Sequence, residues 1–289
     1  MVSTCNLLGL DRQVYYRSIK SRSHKQSISK QVIALVRAKR NVMPKLGTRK
    51  LYHILKRELT DLKVGRDKLF RILKANHMLI KPKRSYHITT DSHHRFRKHR
   101  NIVSNVDIIR PEQIWVSDIT YVGDRSNPSY LALITDAYSK KIMGYNVSNT
   151  LAVDGSLQAL EMALKNRINK DQPLIHHSDR GLQYCSNDYQ QLLNQNNIKA
   201  SMTEKYDPYE NAIAERINGI LKQEFKVAKS INDIEVKKQL IKNAIQIYNN
   251  QRPHLSNHLL TPQQMHQQNK LSRKQYKSKK LNDARIVKL

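Results

Sequence analysis

Three acidic side chains stand where a carboxylate needs a reason to be. Asp118 sits in the middle of Gln113-Ile114-Trp115-Val116-Ser117-Asp118-Ile119-Thr120-Tyr121-Val122, whose β-branched and aromatic residues predict a strand. A buried, unpaired carboxylate costs several kcal/mol, so Asp118 must be paired, protonated or metal-bound. Asp179 ends a second short run: Leu174 and Ile175 follow Pro173, the polarity changes at His176-His177-Ser178-Asp179, and Gly181 lies just beyond. That pattern predicts a brief buried strand delivering Asp179 at its carboxyl end. Glu215 falls in Asn211–Phe225, a predicted helix. At about 100° per residue, Asn211, Glu215, Asn218 and Lys222 share one stripe, with Ile213, Ile217, Ile220 and Leu221 roughly opposite. Glu215 therefore faces away from the apolar side, whereas Glu210 and Glu224 project closer to it and are set aside.

Carboxylates on two strands and a helix are hard oxygen donors of the kind Mg²⁺ prefers. They suit a pair of ions about 3.5–4 Å apart, one serving the attacking oxygen and the other the leaving one, which is phosphoryl transfer. Thirty-five residues, 180 to 214, separate the second acid from the third.

That spacing resembles the D,D(35)E signature of the transposase and retroviral-integrase superfamily. The flanking words Trp115-Val116-Ser117-Asp118-Ile119-Thr120-Tyr121, His177-Ser178-Asp179-Arg180-Gly181 and Asp207-Pro208-Tyr209-Glu210-Asn211-Ala212-Ile213-Ala214-Glu215-Arg216 sharpen it. Together they resemble the downstream-frame (OrfB) transposases of IS3-type bacterial insertion sequences, over about residues 30 to 265. The resemblance implies a metal-dependent DNA strand cleavage and strand transfer, with Asp118, Asp179 and Glu215 as catalytic and metal-ligating residues. It implies two Mg²⁺ ions, with Mn²⁺ as a substitute, and double-stranded DNA as substrate, both the ends of an insertion sequence and the target. It further implies a homo-oligomer on DNA and a fusion with an upstream-frame product. Lys222 joins the DNA-binding candidates because a basic residue seven after the Glu is characteristic of the family; Arg216 and Asn211 are weaker candidates. Two rival readings are an RNase H-fold nuclease acting on RNA–DNA hybrids and a non-catalytic DNA-binding regulator.

Charge distribution supports a polyanion partner. The net charge is +29 over 289 residues. Residues 1–110 carry 27 Lys/Arg against 6 Asp/Glu, residues 111–230 carry 13 against 14, and residues 231–289 carry 12 against 3. A near-neutral centre between basic flanks fits an enzyme whose flanks hold phosphate backbone. Cys5 and Cys185 are the only cysteines, too few for a disulfide framework or a cysteine-rich zinc module. With no signal peptide and no apolar run of bilayer length, a cytoplasmic, nucleoid-associated location is expected and no membrane partner.

The positioning elements are legible in outline. Near the amino end, helices are predicted over Ile28–Met43, over Thr48–Leu59 with Thr48 as the cap, and over Asp67–Asn76. Together they read as an all-α helix-turn-helix region within residues 1–80, with Arg66, Lys68, Arg71 and Lys74 facing outward to DNA. Residues 81–110 read as a basic linker, with Arg95, Arg97 and Lys98 as further DNA contacts. From residue 111 to 265, a three-strand meander, a helix, a strand, a helix, a strand and a helix are predicted. That order matches an RNase H-like α/β core with a mixed five-stranded sheet, the fold the resemblance implies. Asp136, at the end of the second strand, competes as a metal ligand but reads more simply as a turn former. Residues 266–289 are expected to be a basic, disordered tail.

Overall fold

The computed structural model describes residues 7, 9, 11–80, 99–104, 106–123, 128–204, 211–225, 227 and 233–272. Arg95, Arg97, Lys98, Glu210 and the end of the basic tail lie outside the described residues.

The amino-terminal region is helical. Helix α1 runs Arg12–Val42, starting where the Asp11 carboxylate accepts from the Gln13 N–H at 2.5 Å. It begins well before the predicted Ile28. Only Ile28, Val32 and Val36 are buried, so the earlier half is a polar helix with no apolar periodicity to announce it. The predicted second helix is two: α2 (Thr48–Ile54) and α3 (Lys56–Asp61), broken at Leu55. Its cap is Gly47 rather than Thr48, which is a buried first-turn residue. Leu51, Leu55 and Leu59 are still buried together, because the kink preserves their common side. Helix α4 (Arg66–Ala75) follows a turn in which Lys63, not Gly65, takes the left-handed conformation. Arg66, Arg71 and Lys74 are exposed, as the helical periodicity required, whereas Lys68, also expected outward, is half-buried.

The centre is one five-stranded sheet of order β3-β2-β1-β4-β5, made of β1 (Ile114–Gly123), β2 (Pro128–Asp136), β3 (Ile142–Ser148), β4 (Leu174–Ser178) and β5 (Ile198–Met202). β1 pairs antiparallel with β2 and parallel with β4; β2–β3 is antiparallel and β4–β5 parallel. Helices α5 (Val153–Lys165), α6 (Leu182–Cys185) and α7 (Asn187–Gln195) cover one face; α8 (Ala212–Glu224) and α9 (Ile234–Gln251) cover the other. The strand alternation sorts the core accordingly: Ala132 and Ile134 pack under α5, Leu131 and Leu133 under α8 and α9. This is the mixed, two-sided sheet of an RNase H-like core. Residues 99–104 and 106–110 do not hang free but lie against it. The Ile102 N–H donates to Ser201 Oγ, and Val103, Val106 and Ile108 pack beneath the start of β1.

Two buried ionic clusters close the fold. Glu224, at the end of α8, accepts from Arg252 Nε (2.8 Å) and Nη2 (2.7 Å) and from Lys50 Nζ of α2 (3.3 Å). It thereby ties the helical region to the core, which agrees with setting it aside as a site residue. Asp136 is fully buried, with Oδ1 accepting from the Ser139 N–H and hydroxyl and Oδ2 from the Glu112 N–H. It is a turn former with its acceptors occupied. The short helix α10 (Pro262–His266), started by a Thr261/Gln264 capping box, places His266 against Glu112 (3.4 Å) and Asp136 (3.7 Å). Among the described residues no helix is long and apolar enough to cross a membrane.

Two predictions follow from this packing. A Cβ at Gly144 of β3 would lie 2.0 Å from the Ala159 carbonyl oxygen and 2.7 Å from the Ala163 nitrogen of α5. Both are backbone atoms that cannot step aside, so Gly144→Ala should cost about 3 kcal/mol in a urea titration; an unchanged midpoint would contradict the contact. For His266, burial lowers the pKa, but hydrogen bonding to Asp136 and Glu112 outweighs it and the net shift is upward. The histidine's stabilisation is thus full below about 6.5 and lost as pH rises through the raised folded value. The wild-type urea midpoint should fall between pH 6 and pH 8 more than that of His266→Gln; parallel curves would refute the linkage.

Candidate active site

The parallel register between β1 and β4 sets the first two acids. Ile114 pairs with Ile175, Trp115 with His176 and Val116 with His177. Asp118 lies two residues past the last rung on β1, Asp179 lies just beyond the end of β4, and the charge of Asp179 acts on Asp118. Asp179 is turned by its own loop, its Oδ1 accepting from the Gly181 N–H at 3.0 Å. Asp118 is half-buried, opposite Leu133 of β2.

Helix α8 is pinned across the same strand at two points. Asn211, its buried cap residue, donates through Nδ2 to the Ser117 carbonyl at 3.0 Å. Asn218, 4 % exposed, donates through Nδ2 to Asp118 Oδ2 at 2.6 Å. Glu215 lies between these pins on the same stripe, on the exposed side of the helix, and Lys222 lies one turn past Asn218. The four stripe residues do share one side, with Ile217, Ile220 and Leu221 packed opposite, but only Glu215 is exposed: Asn211 and Asn218 are buried, Lys222 is half-buried, and Ile213 packs instead with Ile114 and Val116.

Electrostatics tie the residues together. Burial, then the charge of Asp179 and to a lesser degree that of Glu215, push the Asp118 carboxyl up to about 7, against the restraining Asn218 hydrogen bond. Partial burial raises Glu215 as well. Burial lowers the Lys222 ammonium, and the charge of Asp118 partly restores it. The three predicted acids and Lys222 thus share one electrostatic neighbourhood, whereas Arg66, Lys68, Arg71 and Lys74 sit on the separate helical region.

A polar layer that sequence reasoning missed supports the strands from below. Ser117 Oγ meets His176 Nε2 at 2.6 Å, and the Tyr189 hydroxyl meets the same nitrogen at 2.9 Å. Burial, then neighbouring His177, lower His176 to about 3, so it is a neutral structural imidazole. His177 is likewise buried, with Nδ1 2.9 Å from Ser201 Oγ. Asn218 was visible only as a member of the Glu215 stripe. Its hydrogen bond to Asp118 depends on the crossing of α8 over β1, which no local pattern encodes. Tyr184, buried beneath Asp179 and Asp118, had no signal at all.

Comparison with known proteins decides the family. Integrase core domain models match residues 109–208 and 196–262. An insertion element IS600 protein of 31 kDa from Shigella sonnei is 34 % identical over 256 residues, which is 86 % of this chain and 92 % of that protein. The chain belongs to the insertion-sequence transposases with an integrase core. The InsF transposase of IS3fB from Escherichia coli K12 is 35 % identical over 160 residues, 55 % of each chain. A putative transposase of IS986/IS6110 from Mycobacterium tuberculosis is 37 % identical over 134 residues, 44 % of this chain and about half (48 %) of that one. Among solved structures, the HTLV-2 integrase catalytic core in complex with magnesium is 19 % identical, with a TM-score of 0.44 over 55 % of this chain and 98 % of that one. A transposase of this type is a polynucleotidyl transferase acting on DNA.

Does this transposase's acid trio suit a divalent cation? Among the described residues no three His, Cys, Asp or Glu side chains form a closed metal-holding group. The acids face one another through charge rather than as a finished ligand set. Their chemistry fits nonetheless: they are hard oxygen donors, and the repulsion that raises Asp118 is what a bound dication relieves.

The raised Asp118 carboxyl gives a test in EDTA. The folded chain retains a proton that the unfolded chain loses near 4, so stability should fall as pH rises from about 4 to about 7. Asp118→Asn should flatten that slope and raise the metal-free melting temperature at pH 8 by about 3 °C or more. Coincident melting curves at pH 8 would show that Asp118 carries no such strain.

Proposed function

We propose that Asp118, Asp179 and Glu215 are the catalytic acids of this transposase and together hold Mg²⁺, or Mn²⁺ in its place, as two ions. The observation that carries the reading is the junction of β1, β4 and α8. Parallel β1 and β4 carry Asp118 and lead into Asp179, and one hydrogen bond from Asn218 draws the Glu215 helix onto Asp118. Bound cations supply Lewis acidity to the attacking and leaving oxygens of a phosphodiester.

The chain's own residues do the rest. Asn218 holds one oxygen of Asp118 through a hydrogen bond. Lys222 supplies a cation for a DNA phosphate beside the acids. In the first step water attacks a phosphorus at the element's end, and the departing oxygen becomes a free 3′-hydroxyl. In the second, that hydroxyl attacks a target phosphodiester in line; one P–O bond forms and one breaks, so the bond count is conserved. Residues up to 80 are assigned to holding DNA, through Arg66, Lys68, Arg71 and Lys74 on α4, and residues 111–265 to the chemistry. Assembly as a homo-oligomer on DNA, with an upstream-frame product as fusion partner, belongs to the same proposal.

Glu215→Gln keeps the size and loses the charge. It should lower cleavage and joining of an insertion-sequence end by roughly 10³-fold in Mg²⁺ or Mn²⁺, several kcal/mol at the transition state, while DNA retention stays unchanged. Strand transfer at wild-type rate would remove Glu215 from the site.

A further inference from the structure

On the reverse side of the Glu215 helix lies a cavity of about 360 Å³ at the junction of the helical region and the core. Four cations line it, Lys50 from α2, Lys140 from the β2–β3 turn, Arg216 from α8 and Arg252 after α9, with His254 and Ser256 as its uncharged polar members. Glu224 is the carboxylate that answers Lys50 and Arg252. Arg216 is exposed and pairs with no carboxylate among the described residues.

Two buried polar atoms here lack a hydrogen-bond partner among the described residues. Arg252 is 1 % exposed and uses Nε and Nη2 on Glu224, yet its Nη1 has no acceptor; His254 is 7 % exposed and its Nε2 has no partner. An orphaned guanidinium nitrogen in a buried setting is costly unless something supplies an acceptor. Positive charge is also crowded. Burial, then Arg252, depress the Lys50 ammonium to about 8, and His254 is held well below the ordinary histidine range by burial and four neighbouring cations. The opposite wall is apolar, formed by Ile213, Ile217 and Leu255. The first residues of α8 reach the cavity as well, adding the positive end of that helix.

We propose that this cavity binds a phosphate group of a DNA strand, with Arg216, Arg252 and Lys50 as its ligands and the adjoining sugar on the Ile213–Ile217 wall. The source of the phosphate rests on the transposase reading; the anion site itself does not. A phosphate seated here bridges Lys50 of the helical region to Arg216 and Arg252 of the core, and so braces α8 from behind while Glu215 works on its front. The site is separate from the acid trio, because its lining lies on the other side of the helix from Glu215, Asn218 and Lys222.

The test uses the full chain in EDTA, with inorganic pyrophosphate and thymidine 3′,5′-bisphosphate as calorimetric probes. Both should bind and compete with each other. Arg216→Ala should weaken both about tenfold or more with an unchanged unfolding midpoint, and Arg216→Lys should restore much of the loss. Glu215→Gln should leave both affinities intact, so a failure of the acid assignment would not touch this one. Equal affinities in wild type and Arg216→Ala would overturn the site. Pyrophosphate binding that depends on Arg216 but is not displaced by the bisphosphate would overturn the DNA assignment.

Discussion

Carboxylates repel one another, and a protein that gathers three of them must hold the backbone still while it does so. Here the restraint is the contact between Asn218 of α8 and Asp118 of β1, a 2.6 Å hydrogen bond made by a buried carboxamide. It sits beside the parallel pairing of β1 with β4, and Asp179 follows directly after β4, its carboxylate accepting from the Gly181 N–H. The strain shows in Asp118 itself, raised to about 7 by burial and by its acidic neighbours. Sites that store strain in this way trade stability for a place where a cation is welcome.

The surroundings are arranged to keep that contact. Ser117, His176 and Tyr189 form a buried polar layer directly under the acids, and a neutral histidine at its centre adds no charge to the site. Gly144 lets α5 approach β3 closely at the edge of the sheet. On the other face, Ile217, Ile220 and Leu221 anchor α8 in the core shared with α9. Glu224 then fastens the end of that helix to Arg252 and Lys50. One helix thus connects the acids, the core and the amino-terminal helices.

Lys50 of α2 donates to Glu224, and Glu224 ends the helix that carries Glu215. The cavity lined by Lys50, Arg216 and Arg252 occupies the same junction. The near-neutral charge of the central segment matches a region that does chemistry, while the flanks carry the excess positive charge that phosphate backbone attracts.

Much of this was readable from local pattern. Runs rich in β-branched, aromatic and other apolar residues marked β1, β2 and β3, the change of polarity after Ile175 marked the end of β4, and the 3.6-residue stripe put Glu215 and Lys222 on one side of α8. These features depend on neighbours in sequence, and so does the burial of a hydrophobic face. The first half of α1 escaped because a helix that buries nothing leaves no periodic trace, and the break at Leu55 escaped because leucines on both sides kept a helical rhythm. The sequence by itself determined which residues could be acids, strands and helices, through side-chain chemistry and periodicity. Only the tertiary structure decided that Asn218 holds Asp118, that Glu224 locks two regions, and that four cations converge behind α8. Each of those depends on the angle at which one packed element crosses another, a quantity set by the whole core and by no single stretch of chain.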